Sequence, residues 1–338
     1  MPGFEERALV GLIGDLLQQY GYRFVACSKP PAGIDGRDEF GVPTPGGGQR
    51  KLVDVVGAKW GPPLVDAVAV ECKRAGTARD SISAALGQAT DYQTCFRQVF
   101  IATEPGELYD KRLVLESLGL GHIAVDQVRG QAEFCSWPPP VENARFSPSV
   151  HDQFVAPRLA LALAFQEAFD DVGDVLRYGE TRWGRIYLAK AVVGNLQWNC
   201  WWDDRDRTVL CGINVEHKAD TRRITERLEP ALLANALREL LPHYRLWATK
   251  AAVPGRANAP EPLIYPHSQA RQVDTPRLLA EVKGVLPDKA WRPQINVYTH
   301  VWSSSDRLES WDYVSRLRTV RQELGGVMNA FASCYEGE

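Results

Sequence analysis

The chain has 338 residues, 45% hydrophobic and 24% charged, with 28 Gly and 22 Pro. At roughly 150 residues per domain this suggests about two globular domains and excludes a collagen-like or mainly disordered chain. A formal charge of −3 gives no general attraction for a polyanion, so any nucleic-acid contact must come from a local patch. Uncharged apolar runs of roughly 18 residues are missing, and the N-terminal MPGFEERALVGL is acidic where a secretory leader is basic. Seven cysteines lie scattered without a Cys-x-x-Cys pair. These features predict a cytoplasmic protein with no membrane span, disulfide framework or zinc site.

In chain order, Phe4, Leu9, Leu12, Ile13, Leu16, Leu17 and Tyr20 recur at helical spacing with Gly21 as a stop, which predicts an amphipathic helix over residues 4–20. The strand YRFVAC leads into a Gly/Pro/Asp-rich loop from Ser28 to about Gly48, long for a compact domain and of the kind often used functionally. KLVDVVGAKW and LVDAVAVECK flank Gly61-Pro62-Pro63 and read as a β-hairpin. A helix over 77–98, the strand VFIAT, a helix around 108–118 and the strand HIAVDQ complete an α/β order in which crossover helices join strands.

Four prolines in CSWPPPVENARFSPS mark a linker and set domains at residues 1–140 and 141–338. The second domain reads as α+β. It holds the helical run FVAPRLALALAFQEAFDDV, strands at GRIYLAKAVV, LQWNCWWD and TVLCGINVE, and the long helix ITERLEPALLANALRELL. The strand QINVYTHVW and a terminal helix from Trp311 to about Ala332 follow.

The residues that carry chemistry are Asp54 and, after sixteen intervening positions, Glu71-Cys72-Lys73 at the end of an apolar strand. Glu71 and Lys73, two apart, share one strand face. If the hairpin is symmetric about Pro62-Pro63, paired positions sum to 125, which sets Asp54 across from Glu71. Opposed Cβ atoms lie about 4.5–5.5 Å apart, close enough for two carboxylates to share a divalent cation, for which a hard ion such as Mg2+ or Mn2+ is suited. Without a cation the two carboxylates repel each other. In phosphodiester hydrolysis the metal polarises phosphate and acidifies a bound water, while Lys73 positions that water and stabilises developing negative charge.

These residues resemble the PD-(D/E)XK, or restriction-endonuclease-like, nuclease superfamily, over roughly residues 4–126. The resemblance implies a core of a mixed central sheet flanked by helices. Phe4-Glu5 is similar to the start of Mrr-like restriction enzymes, where an acidic residue of the first helix completes the metal site, implying Glu5 as a third metal residue beside Asp54 and Glu71. Gln88-x-x-x-Tyr92 is similar to the motif of the RecB-like branch and places Gln88 and Tyr92 on one helix face towards the catalytic strand. Val53 stands where the family name has proline.

Competing readings bear on each residue. Glu216-His217-Lys218 repeats the Glu-x-Lys pattern at the end of another apolar strand without an opposed aspartate, and Glu281-Val282-Lys283 repeats it in a helix. Asp66 falls across from Lys59 and reads as a structural ion pair, whereas Asp35 and Asp38 in GIDGRD are rivals for the metal aspartate. Glu5 and Glu6 also suit a helix N-terminus with no function at all. Trp201 and Trp202 must face opposite ways in a strand, so an exposed one is a ligand candidate. Arg222-Arg223 and Arg316, Arg318 and Arg321 read first as solvated helix faces.

The expected activity is a Mg2+-dependent DNA endonuclease of restriction or anti-phage defence, with DNA as partner and a homodimer suited to double-strand cutting. The second domain is expected to recognise target DNA, or to sense a ligand or partner protein that gates the nuclease. The alternative is a nuclease-like fold kept as a non-catalytic DNA-binding or assembly subunit.

Overall fold

The computed structural model of the chain describes residues 3–27, 40–43, 51–73, 79–104, 112–138, 143–172, 177–180, 186–203, 207–215, 217–251, 268–287, 291–303, 305–306 and 308–336. The fold is mixed α/β and divides into two compact units, Met1–Gln166 with Arg177–Ile186, and Glu167–Leu176 with Tyr187–Glu338. Among the described residues no helix is long and apolar enough to cross a membrane, and all seven cysteines are free thiols.

The first unit comprises α1 (Gly3–Gln19), β1 (Phe24–Cys27), β2 (Phe40–Val42), β3 (Lys51–Val53), β4 (Val55–Trp60), β5 (Val65–Cys72), α2 (Arg79–Tyr92), β6 (Gln98–Thr103), α3 (Arg112–Ser117), β7 (Gly121–Asp126) and β8 (Gln131–Ser136). After these come α4 (Pro148–Val150), a π-helical turn (His151–Val155), α5 (Ala156–Ala168) and β9 (Arg177–Glu180). The main sheet runs β1-β4-β5-β6-β7-β8, and β2 pairs with β3 in a separate ribbon. Pairs β5–β6 and β6–β7 are parallel, with α2 and α3 as the crossovers, and the other pairs are antiparallel.

Helix α1 forms because Leu9, Val10, Ile13, Leu16 and Leu17 make one apolar stripe, which packs on Val55, Val68, Val70, Phe100 and Ile123. It stops at Gly21, whose φ of +82° lets Tyr22 N–H close back on the Leu17 carbonyl at 3.0 Å. Each fully buried aliphatic side chain of this stripe contributes on the order of 2 kcal/mol.

Three expectations from the sequence change here. The run KLVDVVGAKW is two strands: β3 belongs to the ribbon and β4 to the main sheet, with Asp54 as the bend between them. Two strands are additional: β2, inside the segment expected to be an irregular loop from Ser28 to about Gly48, and β8, which closes the sheet edge. The division between units falls later than residue 140, because the segment after the prolines is bonded into the first unit. Asn143 Nδ2 donates to Gln93 O at 2.9 Å, His151 Nδ1 donates to Cys95 O at 2.7 Å, and the buried Arg158 guanidinium donates to Gly41 O at 3.0 Å.

The second unit holds β10 (Ile186–Val193), β11 (Leu196–Asp203), β12 (Thr208–Val215), α6 (Lys218–Arg227), α7 (Pro230–Arg238), β13 (Arg245–Ala251), β14 (Ser268–Gln269), α8 (Thr275–Val285), β15 (Trp291–Ser303), α9 (Ser310–Glu323) and α10 (Gly325–Ala332). Its strands run β14-β13-β15-β12-β11-β10. The expected long helix is two, because Glu229 is extended and Pro230 starts α7, where a missing N–H costs nothing. The terminal helix likewise divides at Leu324, before Gly325-Gly326. One sheet face carries Trp198, Cys200, Ile213, Val297 and Leu246, all buried. Trp302, paired with Val209 on that side, meets Tyr313 of α9 edge-on at 5.0 Å.

Candidate active site

The hairpin pairs Val55 with Val70 through to Trp60 with Val65, the register that the symmetry of the sequence predicts. Asp54 continues that ladder by one position from the bend, which brings it beside Glu71. Its Oδ2 accepts the Cys72 backbone N–H at 2.8 Å, tying the bend to the end of β5. Lys59 sits opposite Asp66 and their charged groups are 3.6 Å apart, the structural ion pair expected of Asp66.

Glu71 is 1% exposed. Its Oε1 lies 2.8 Å from Lys73 Nζ, and its Oε2 lies 3.0 Å from the hydroxyl of Tyr92, which α2 brings against β5. The Tyr92 hydroxyl is also 2.8 Å from the Leu52 carbonyl. A phenol has one proton, so it cannot donate to both oxygens. Both contacts are satisfied when Glu71 carries a proton on Oε2 and donates it to the phenol oxygen, while Tyr92 donates to Leu52. The electrostatics agree. Burial, then the Asp54 carboxylate, raise the Glu71 pKa from 4.5 to about 7, against the opposing pull of Lys73 and Tyr92. Burial and the two carboxylates push the Tyr92 phenol far above its ordinary value.

The structure therefore brings together Asp54, Glu71, Lys73 and Tyr92. Gln88 is half-buried one turn earlier on α2 and, among the described residues, makes no hydrogen bond to either carboxylate. Glu5 lies in the first turns of α1, and its side chain falls outside the described residues, as do Asp35 and Asp38. Two participants escape sequence reasoning: the Leu52 carbonyl, which has no side-chain signal, and the Lys51–Asp91 ion pair, which links β3 to α2 beside Tyr92.

Among the described residues no group of three or more His, Cys, Asp or Glu side chains converges as a metal site. The pair Asp54 and Glu71 nevertheless fits a small hard cation, since Mg2+ keeps several waters and is often held by one or two carboxylates. Burial first and the Asp54 carboxylate second raise the Glu71 pKa, and Lys73 offsets them only in part, so an added cation would find uncompensated negative charge there once Glu71 ionises.

The competing Glu-x-Lys sequences are arranged differently. Strand β12 ends at Val215, Glu216 lies outside the described residues, and His217 precedes α6, so Lys218 is helical and not on an extension of the strand. Glu281 in α8 is bound by Arg277 at 2.6 Å. Three of the five arginines are engaged, Arg316 with Asp306, Arg321 with Asp171, and Arg223 over the Tyr335 ring, while Arg222 and Arg318 are exposed on their helices.

No protein-family model and no curated protein matches the chain. Among solved structures it is similar to "SPO1766 protein of unknown function from Silicibacter pomeroyi", at 16% identity and a TM-score of 0.29, over 51% of this chain and 92% of that one. A likeness at this level carries no argument about fold or chemistry.

Proposed function

We propose that the first unit is a metal-dependent nuclease with a restriction-endonuclease-like core, hydrolysing phosphodiester bonds in DNA. The observation that supports this reading is the Asp54 and Glu71 carboxylate pair at the end of β4–β5 with the Lys73 amine 2.8 Å from Glu71. Asp54 and Glu71 would hold Mg2+ or Mn2+, which supplies charge neutralisation at phosphate and a water of lowered pKa. Lys73 adds a fixed positive charge where a phosphorane's negative charge develops and hydrogen-bonds the attacking water. Tyr92 fixes the rotamer of Glu71, and the Cys72 N–H fixes that of Asp54. Restriction or anti-phage defence, with action as a homodimer, is the biological setting this chemistry suits.

The test is cleavage of supercoiled plasmid with Mg2+, with Mn2+ and with EDTA. Wild-type protein should nick or cut in metal only, and Asp54→Asn and Glu71→Gln should be inactive while folded. Undiminished cutting by either variant would remove the assignment.

A further inference from the structure

The charged pair Glu71 and Lys73 continues across the main sheet into two buried polar side chains that the nuclease reading does not use. Helix α1 packs on Val70, Cys72, Phe100, Ala102, Ile123 and Val125, so the alternate positions Glu71, Ile101, Thr103 and His122 face the other way. On that side Glu71 of β5 is level with Ile101 of β6, and Ile101 with His122 of β7. The Lys73 N–H donates to the Ala102 carbonyl at 2.9 Å, which carries the β5–β6 ladder past Cys72 and brings Lys73 level with Thr103. Lys73 shares the face of Glu71, and Thr103 that of Ile101, so the two side chains stand next to each other on strands about 4.8 Å apart.

Thr103 and His122 are 1% and 7% exposed, and Thr103 Oγ1 lies 3.0 Å from His122 Nε2. Central parallel strands covered on both faces are ordinarily apolar throughout, as Val99, Phe100, Ile101 and Ala102 are on β6. A hydroxyl and an imidazole buried there cost desolvation, which their own hydrogen bond offsets only in part. Burial lowers the His122 pKa and keeps the ring neutral. A neutral imidazole has one N–H and one bare nitrogen, so Nε2 can accept the Thr103 O–H.

We propose that Thr103, oriented by His122, is a positioning residue for the Lys73 amine: its hydroxyl hydrogen goes to His122 Nε2 and its oxygen accepts from Lys73 Nζ. An ammonium carries three donors. Glu71 Oε1 takes one at 2.8 Å, Thr103 takes a second, and the two acceptors together fix the direction of the third. Threonine suits the task because β-branching leaves its χ1 few rotamers. The third donor is the one that meets the phosphate or the attacking water, a step that rests on the nuclease reading, whereas the place of the amine does not.

The tests use the full chain. With lysine and threonine selectively labelled, the wild type should show a nuclear Overhauser contact between the Lys73 ε-methylene and the Thr103 methyl, which depends on no variant folding. Limited acylation in EDTA, read peptide by peptide by mass spectrometry, should modify Lys73 ~5-fold or more faster in Thr103→Val than in wild type. Lys59 serves as the unchanged reference, and Thr103→Ser should return to the wild-type rate. In Mg2+ the valine substitution should lower kcat for plasmid cleavage ~10-fold at constant KM, and serine should recover it. A wild type that shows the contact and the slow acylation but cuts nothing removes the nuclease reading alone and leaves the Lys73 assignment standing. An absent contact, equal acylation of Lys73 in folded Thr103→Val, unchanged kcat in that variant, or a serine variant that behaves like valine overturns the proposal.

Discussion

Replacing Glu71 by glutamine should make the metal-free protein more stable at pH 8 and leave it nearly unchanged at pH 4.5. The carboxyl's pKa rises from 4.5 to about 7 on folding, so between those values the unfolded chain ionises while the folded one still holds its proton. Folded-state stability therefore falls as pH climbs through that window, and the loss is complete above it. At 1.36 kcal/mol per unit the loss is about 3 kcal/mol. Glutamine preserves the shape and cannot titrate, so the difference between wild type and variant isolates this one group. Urea unfolding in EDTA at both pH values, read by hydrogen exchange of peptides from β4 and β5, keeps the second unit's transition out of the measurement. Mg2+ added at pH 8 should restore wild-type stability and do nothing for Glu71→Gln. An equal stability difference at both pH values would refute the reasoning, because it would mean that Glu71 ionises normally in its burial.

Other substitutions separate the parts. Lys73→Met should reduce the rate of cleavage by ~100-fold or more with DNA affinity nearly intact, read as a fall in kcat at constant KM. Tyr92→Phe leaves the Leu52 carbonyl and Glu71 without the phenol and should cost about 1–3 kcal/mol in denaturant unfolding of the first unit. Glu216→Gln should leave cleavage unchanged, and a loss equal to that of Glu71→Gln in a folded protein would move the active site to the second unit. A chain ending at residue 140 should be readily proteolysed, since it lacks the bonds from Asn143, His151 and Arg158, whereas a chain ending after residue 186 should resist.

The hairpin and its register were legible because Gly61-Pro62-Pro63 marks the turn, and alternate positions of a strand share a face, so the pairing sum alone put Lys59 across from Asp66 and Asp54 beside Glu71. The bend at Asp54 was not legible: Val53, Val55 and Val56 are all buried, so no change of periodicity marks the strand's transfer from ribbon to sheet. Tyr92 carried a signal only through its spacing from Gln88, while its backbone partner at Leu52 had none. Pro230 did announce the break between α6 and α7, but the apolar pattern on either side masked it. The prolines at 138–140 looked like a boundary, and nothing in composition showed that a charged residue, Arg158, would be buried beyond them.

The two-sided character of the second sheet bears on how faithfully that unit assembles. β15 alternates Gln294, Ile295, Asn296 and Val297 between an amide face and an apolar face, and it sits between β12 and β13. A slip of one residue during pairing would turn every amide into the helix-packed core and every aliphatic chain out of it. The neighbours on both sides would reject that error at once, so the alternation along β15 also proofreads its assembly.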